Sequence, residues 1–337
     1  MKKIAKFWDS KNDNSVQCFL CPHNCKINNG KKGICGVREN QDGILYSLIY
    51  GSCSALHEDP IEKKPLYHFY PGTTVFSLGS VGCNFNCDHC QNFEISRALP
   101  KDIPMNEISP KMAVDLAKKQ YCRGIAWTYN EPTIWHEYSF DTARLAKKAG
   151  LYTVYVTNGY INENPLKEIS KYLDAMNIDV KGFSDDFYKK ICKARLKPVL
   201  NTCEIARELG IHVEVTYLVI PGFNDSSSDI TKFCKWIVEK LGEDTAVHFS
   251  RFHPDYKMKD IPSTPVEKLI EIFNSAKNLG ILYPYIGNVL NGEHESTKCP
   301  YCGNIIIRRY GFSTEVLGLK KGKCKNCDRI IPIISDM

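Results

Sequence analysis

Hydrophobic and polar positions in the middle of the chain alternate between two textures. Short apolar runs, typical of buried strands, are separated by longer stretches with the three- and four-residue apolar spacing of helices. The apolar runs predict six strands, over residues 74–81, 124–129, 152–157, 175–181, 211–220 and 246–252. The stretches between and after them predict six helices, over residues 110–121, 133–149, 165–172, 198–209, 229–241 and 265–279.

Regular alternation of strands and helices predicts an α/β fold with a parallel sheet, because right-handed crossover helices join neighbouring parallel strands. Gly150, Gly210 and Gly280 stand where three of these helices are expected to end. Six units favour an open, partial (β/α)6 barrel of TIM-like type over a complete barrel of eight units. A flat, doubly wound sheet is the alternative, and in either fold function is expected at the carboxyl ends of the strands.

Two flanking segments depart from this pattern and suggest three domains. Residues 1–71 form a cysteine-rich, metal-binding region, residues 72–290 the barrel, and residues 291–337 a zinc ribbon. A net charge of +6 tolerates a nucleic-acid partner without requiring one. We find no apolar run long enough for a membrane span and no signal-peptide core, and therefore expect a cytoplasmic protein.

Cysteine is the unusual component of the composition, with 16 residues, 11 of them in three tight groups. In a long, lysine-rich chain without an export signal, such groups favour metal ligands over disulfides. The scattered cysteines are expected to be small, buried, apolar side chains. They are Cys53, Cys122, Cys192, Cys203 and Cys234.

The central group, Cys83, Cys87 and Cys90, follows the first predicted strand with the spacing C-x3-C-x2-C. Three thiolates can hold three irons of a [4Fe–4S] cluster and leave the fourth iron open to another ligand. A structural zinc site normally has four protein ligands, so three in one compact loop indicate chemistry. A zinc site completed by His89 or by a distant residue is the alternative.

The N-terminal group has four cysteines within 18 residues, enough for a tetrahedral metal site. Zinc is our first expectation there, and a second iron–sulfur cluster is the alternative, since both metals bind thiolates. These cysteines are Cys18, Cys21, Cys25 and Cys35.

The C-terminal group consists of two C-x2-C pairs separated by 21 residues, a spacing that predicts a zinc ribbon supported by a strand at residues 304–307. A rubredoxin-like iron site is the alternative. The surrounding basic residues permit contact with RNA, although such charges usually form an ordinary solvated surface. The four cysteines are Cys299, Cys302, Cys324 and Cys327.

Polar residues also occur at the ends of the predicted strands. Asn177, Asp179 and Lys181 share one face of the fourth strand, where they suit a zwitterionic ligand or form a structural ion pair. Glu131 is either a ligand-binding carboxylate or a helix-start residue, and Asn158 begins a turn. On the fifth strand, the row of His212, Glu214 and Thr216 is left undecided between substrate cavity and solvent. On the sixth strand, either the row that begins at His248 or the alternate row could face the substrate.

The central loop resembles the cluster motif of the radical S-adenosylmethionine (SAM) superfamily, C-x3-C-x-aromatic-C, with His89 at the ring position. The resemblance implies that SAM chelates the open iron of a [4Fe–4S] cluster, which splits it reductively into methionine and a 5′-deoxyadenosyl radical that abstracts hydrogen from a substrate. It places His89 near the adenine and Glu131 near the methionine amino group. Likeness to glycyl-radical activating enzymes extends this assignment to Asn158, Asp179 and Lys181.

The whole layout resembles the radical SAM enzyme of the AmmeMemoRadiSam system. This resemblance implies Memo-like and AMMECR-type protein partners, beside an electron donor such as flavodoxin or ferredoxin. The matching segments are Cys-Pro-His-Asn-Cys at 21–25, Gly-Ile-Cys-Gly-Val-Arg at 33–38, Asp-Pro-Ile-Glu-Lys-Lys-Pro-Leu at 59–66, Thr-Tyr-Asn-Glu-Pro at 128–132 and Ser-Arg-Phe-His-Pro-Asp at 250–255.

Three functions therefore stand open at the level of sequence. The first is radical SAM chemistry on a protein or peptide, as in the glycyl-radical activating enzymes. The second is the same chemistry on RNA or on a small metabolite. The third is a non-enzymatic iron–sulfur and zinc scaffold that binds nucleic acid, which leaves the open iron and the polar row of the fourth strand without a purpose.

Overall fold

The protein is described from a computed structural model, which covers residues 2–290 and 292–336. Met1, Asn291 and Met337, at the limits of the expected segments, lie outside the described residues. The dominant element is an eight-stranded sheet. Its strands are β1 (Ala55–Pro60), β2 (Thr74–Gly79), β3 (Gly124–Trp127), β4 (Tyr152–Thr157), β5 (Ala175–Asp179), β6 (His212–Val219), β7 (Val247–Arg251) and β8 (Pro284–Gly287).

The strands lie side by side in chain order, from β1 at one edge to β8 at the other. β1 is antiparallel to β2, and all the later neighbours are parallel. An order without reversal keeps every right-handed crossover on one face of the sheet, so the sheet curls around the other face. The doubly wound alternative needs a reversal, and none occurs among the described residues; the open barrel is confirmed.

Six main helices connect the parallel strands, each close to its predicted position. The Ser109 and Ser226 hydroxyls accept hydrogen bonds from backbone amides in the first turns of the helices that follow them. Gly150, with φ +75°, follows the end of the second main helix, as expected. The helices are α1 (Pro110–Lys119), α2 (His136–Lys148), α3 (Glu163–Ile169), α4 (Leu196–Glu208), α5 (Ser227–Trp236) and α6 (Val266–Asn278).

Two strands of the sheet, β1 and β8, were not predicted from the sequence. β1 carries alternating polar residues rather than an apolar run, and it pairs only at the edge of the sheet. β8 is four residues long and begins with Pro284, which is acceptable at an edge because it needs no donor there. The sequence signal for both strands is therefore weak, and pairing with a neighbour decides their conformation.

The lower end of the barrel is closed by the segment between β1 and β2. Leu66 and Phe69 of this segment are buried against Val75, Ala126 and Val154, at the beginnings of three strands. Burial of each such side chain contributes about 1.5–3 kcal/mol to stability. Because this end is packed with apolar side chains, space for a ligand is left at the carboxyl ends of the strands.

Small antiparallel sheets precede and follow the barrel. The strand predicted at residues 304–307 overlaps Ile305–Tyr310, the middle strand of its sheet. The N-terminal strands are Lys3–Ile4, Trp8–Ser10, Val16–Cys18, Lys26–Ile27, Arg38–Gln41 and Ile44–Ser47. The C-terminal ones are Thr297–Lys298, Ile305–Tyr310, Ser313–Val316, Leu319–Lys320 and Lys323–Cys324.

A helix that crosses a bilayer needs about 20 mostly apolar residues. Within residues 2–290 and 292–336, none of the helices combines the length and the apolar character needed for a membrane span.

Candidate functional site

The central cysteine loop begins at Gly82, three residues after the end of β2, at the carboxyl end of the sheet. Gly82 has φ +82°, which a residue with a side chain adopts only with strain. The loop is held from the other side by backbone hydrogen bonds, from the Asn86 amide to the Cys192 carbonyl and from the Asp88 amide to the Ile191 carbonyl, each 3.1 Å long. The position predicted from the sequence is therefore the position observed.

The thiols of this loop are buried among apolar side chains. Burial raises the pKa of Cys83 and of Cys90. The pKa of Cys87 is raised by its contact with the Cys192 thiol and by burial, in spite of the positive charge of Lys181. Free thiols in such a place stay protonated, so a thiolate form requires a bound metal as its partner.

His89 is the clearest sign that the site is built for a ligand. Its ring is 3% exposed, and neither ring nitrogen has a hydrogen-bond partner. Burial, together with the charge of Lys181, lowers the pKa of His89 to about 3. A neutral, buried and unpartnered imidazole is costly by itself, and a bound polar ring beside it would remove that cost.

Asp179 and Lys181 form an ion pair of 3.0 Å next to this loop, with side chains 33% and 17% exposed. Burial alone would lower the pKa of Lys181, but the charge of the Asp179 carboxylate and its hydrogen bond to Lys181 raise that pKa overall. Lys181 is therefore a fixed positive charge at the cysteine loop.

Asn177 does not join this pair, contrary to the expected polar row. Its side chain is fully buried and donates to the Pro65 carbonyl at 2.7 Å, while accepting from the Thr216 hydroxyl at 2.9 Å. The segment that closes the barrel reaches up to this level and satisfies the amide. Only the upper part of the predicted row borders the site.

Glu131 and Asn158 are brought together above β3 and β4. The Glu131 carboxylate accepts from the Thr133 amide (2.9 Å), the Thr157 hydroxyl (2.7 Å) and the Asn158 amide (2.8 Å). Glu131 therefore caps the helical turn Pro132–Trp135, as expected of a helix-start residue. It also holds the backbone of Asn158, the residue that follows β4. Burial raises the pKa of Glu131, although these donors oppose the shift.

Asn158 links that carboxylate to the cysteine loop. Its side-chain amide lies 2.8 Å from Asn84 Oδ1 and 3.7 Å from Cys83 Sγ. The Asn84 side chain in turn donates to the Tyr160 carbonyl at 2.9 Å. Asn84 was missed by the sequence analysis, because one asparagine between two cysteines gives no signal until β4 is placed beside it.

The undecided rows of β6 and β7 face the barrel interior. Glu214 is fully buried and accepts from the Tyr67 and His68 amides, at 2.9 and 2.7 Å. His248 and His212 lie 2.7 and 3.0 Å from its two oxygens. Burial opposes ionisation, but these histidines hold the pKa of Glu214 well below its usual range. The row therefore fastens the segment that closes the barrel and lies at the end away from the cysteine loop.

The sequence did not predict a buried ion-pair cluster around Asp59, on β1 at the edge of the sheet. Asp59 pairs with Lys64 at 2.7 Å and with Lys63 at 2.8 Å, and the Tyr129 hydroxyl donates to it. Tyr129 itself has φ +71°. Burial lowers the pKa of Lys64 to about 8. The pairing depends on β1, which the sequence pattern did not predict.

The C-terminal cysteines form a compact set. Cys299 Sγ lies 3.6 Å from Cys327 Sγ, and Cys302 Sγ lies 3.7 Å from Cys324 Sγ. All four sulfurs lie within 4.8 Å of one another, and this is the only group of three or more possible ligands so close together in the described part of the chain. The arrangement is a metal site, as predicted; zinc and iron are both soft enough for it.

The N-terminal cysteines surround a small apolar cavity next to the central loop, together with Leu20, Ile27 and Ile134. The scattered cysteines are all buried, as expected. Among those, Cys192 is distinguished by its contact with Cys87.

Comparison with known proteins identifies the superfamily of the chain. Residues 78–234 match the radical SAM superfamily. The chain belongs to this superfamily and is an enzyme related to the activating enzymes of glycyl-radical proteins. It is 48% identical over 332 residues to the uncharacterized protein MJ0808 of Methanocaldococcus jannaschii, which covers 98% of this chain and 99% of that protein.

More distant relatives have named activities. The pyruvate formate-lyase-activating enzyme of Clostridium pasteurianum is 27% identical over 214 residues, covering 59% of this chain and 88% of that enzyme. Among solved structures, a radical SAM methyltransferase from Sphaerobacter thermophilus superposes with a TM-score of 0.50 and 14% identity, over 70% of this chain and 71% of that one. This likeness concerns the fold alone.

Proposed function

We propose that this enzyme cleaves SAM reductively and uses the resulting radical to abstract hydrogen from a protein or peptide. One observation carries the proposal. The three central cysteines, the unpartnered His89 ring and the Asp179–Lys181 pair lie together at the carboxyl end of the barrel. Cys83, Cys87 and Cys90 would hold a [4Fe–4S] cluster, which would supply the one-electron reduction.

The residues around this loop have distinct proposed roles. His89 contacts the adenine, because its ring nitrogens have no partner within the protein. Lys181 and Asp179 bind the charged methionine end of SAM, for which a fixed ion pair is complementary. Glu131 holds the backbone of Asn158, whose side chain then lies between the cysteine loop and the nucleoside.

The relatives support a macromolecular substrate. Those with printed activities activate pyruvate formate-lyase, benzylsuccinate synthase and 4-hydroxyphenylacetate decarboxylase. The sequence motifs further support membership of the AmmeMemoRadiSam system, with Memo-like and AMMECR-type proteins as partners and flavodoxin or ferredoxin as electron donor. The proposal includes a cytoplasmic location, because metal-binding cysteines must remain reduced.

Zinc is the proposed metal of the C-terminal site. A tetrahedral ion with bonds of about 2.3 Å to sulfur separates neighbouring sulfurs by about 3.8 Å, close to the 3.6 and 3.7 Å between the paired cysteines. Residues 291–337 are then a zinc ribbon domain that follows the barrel domain of residues 72–290 and the metal-binding region of residues 1–71.

The first test is formation of 5′-deoxyadenosine by the anaerobically reconstituted protein with SAM and dithionite. We expect Cys87→Ala to abolish the product and the zinc content to stay unchanged. Cys53→Ala is the matched control, because Cys53 is buried and lies outside the three groups; it should retain the activity. Full cleavage by the Cys87→Ala variant would refute the assignment of the cluster.

A further inference from the structure

The N-terminal cysteines differ from the C-terminal ones in how they are spaced. Around a single zinc ion, all sulfurs must lie within about 4 Å of one another. The C-terminal sulfurs form a compact group of this kind, whereas the N-terminal cysteines, all of them described, form no such compact group. A [4Fe–4S] cluster binds each thiolate to a different iron, so its sulfurs stand farther apart. The spacing therefore favours a cluster over a single ion.

The surroundings of these sulfurs also suit a cluster. The lining between them is apolar, with Leu20, Ile27 and Ile134. The Arg38 guanidinium is 1% exposed and its Nη1 lies 3.7 Å from Cys18 Sγ. Hydrogen bonds to cluster sulfurs and a low-dielectric shell are the features by which proteins stabilise and tune iron–sulfur clusters.

The N-terminal site lies directly against the central loop. His23, between Cys21 and Cys25, has its Nε2 2.7 Å from the carbonyl oxygen of Asn84. On the other side, a Cβ added to Gly82 would lie 2.6 Å from the Cys35 carbonyl oxygen, so the two loops touch at their backbones. One layer of protein separates the two sets of thiols.

We propose that Cys18, Cys21, Cys25 and Cys35 bind a second [4Fe–4S] cluster that exchanges electrons with the central site. This replaces our first expectation of zinc. The exchange moves one electron from the reduced N-terminal cluster, itself reduced by a low-potential donor of the ferredoxin class, and breaks no bond. The electron-transfer role rests on the proposed function of the central cysteines, but the identity of the N-terminal metal does not.

The test is an iron, sulfide and zinc count on the full chain after anaerobic reconstitution, beside electron paramagnetic resonance of the reduced protein. We expect about eight irons in the parent protein and about four in both Cys25→Ala and Cys87→Ala. The Cys87→Ala protein should show a cluster signal that SAM does not alter. In the Cys25→Ala protein, SAM should alter the signal. Cys203→Ala, a buried cysteine of α4, is the control and should keep eight.

The outcomes separate the two assignments. About four irons and two zinc ions in the parent, with one zinc lost in Cys25→Ala, would overturn the second cluster and leave the central one intact. Loss of iron from Cys25→Ala alone would instead overturn the central assignment. If a variant does not fold, the iron, sulfide and zinc count of the parent protein decides the same question, since two [4Fe–4S] clusters double the iron per chain relative to one.

Discussion

Replacement of His68 by asparagine should remove a defined part of the protein's sensitivity to acid. His68 is 1% exposed; its Nε2 lies 2.7 Å from the Tyr285 hydroxyl and its Nδ1 3.2 Å from the Pro332 carbonyl. The ring is neutral because it is buried. Since the Pro332 carbonyl can only accept, Nδ1–H donates to it, and Nε2 then accepts from the Tyr285 hydroxyl. Burial lowers the pKa of His68 to about 3.

The magnitude follows from this shift. A histidine in the unfolded chain has a pKa of about 6.5, so acid favours the unfolded state once the pH falls below that value. The stabilisation that comes from keeping His68 neutral is fully present above pH 6.5. It is lost progressively as the pH falls toward the pKa of His68 in the folded protein. Between pH 7.5 and pH 5, one such group costs about 2 kcal/mol of unfolding free energy. In a chain of 337 residues, this corresponds to about 3 °C in melting temperature.

The assay is thermal unfolding of the metal-loaded protein at several pH values under anaerobic conditions. We expect the parent to lose about 3 °C more than His68→Asn between pH 7.5 and pH 5. The variant is less stable at neutral pH because it loses the acceptor for Tyr285, so the readout is the slope and not the absolute value. His253→Asn, at an exposed histidine, controls for removal of a histidine as such. Equal slopes in the parent and His68→Asn would refute the reasoning.

Three other substitutions test the structure at the metal sites. Glu137→Gln leaves the buried Arg38 guanidinium without its carboxylate, and denaturant unfolding should show a loss of about 3–5 kcal/mol. Gly82→Ala forces a Cβ against the Cys35 carbonyl, so the purified protein should bind less iron in both N-terminal and central sites. Lys181→Gln removes the fixed charge at the cysteine loop, and equilibrium binding should show SAM affinity reduced about 10- to 100-fold.

Matched controls separate these effects from general damage. Gly150→Ala introduces a side chain at φ +75° with no atom within 4 Å of the new Cβ, so it should cost about 1 kcal/mol of backbone strain and no iron. Lys190→Gln removes an exposed lysine and should leave SAM affinity unchanged. Normal iron content in Gly82→Ala would contradict the packing of the two loops, and unchanged affinity in Lys181→Gln would contradict the role of that lysine.

The central helices and strands could be predicted because their signals are local. Apolar runs and amphipathic stretches each report on burial of one face, and glycines mark helix ends by conformational freedom. The spacing of Cys83, Cys87 and Cys90 likewise predicted a metal-binding loop, since a compact loop brings its own cysteines together. β1 and β8 lacked such local signals, because partner strands rather than their own residues determine their pairing.

The sequence by itself determined the class of fold, the three groups of cysteines and the placement of the central group after the first parallel strand. Only the tertiary structure decided which polar residues reach the site. Asn177 and Asp179 face the same side of one strand, but only Asp179 borders the site. The segment that closes the barrel reaches Asn177, whose side chain donates to the Pro65 carbonyl. The tertiary structure also placed His23 and Cys35 against the central loop, a contact between residues about 50 to 60 positions apart that chain connectivity cannot reveal.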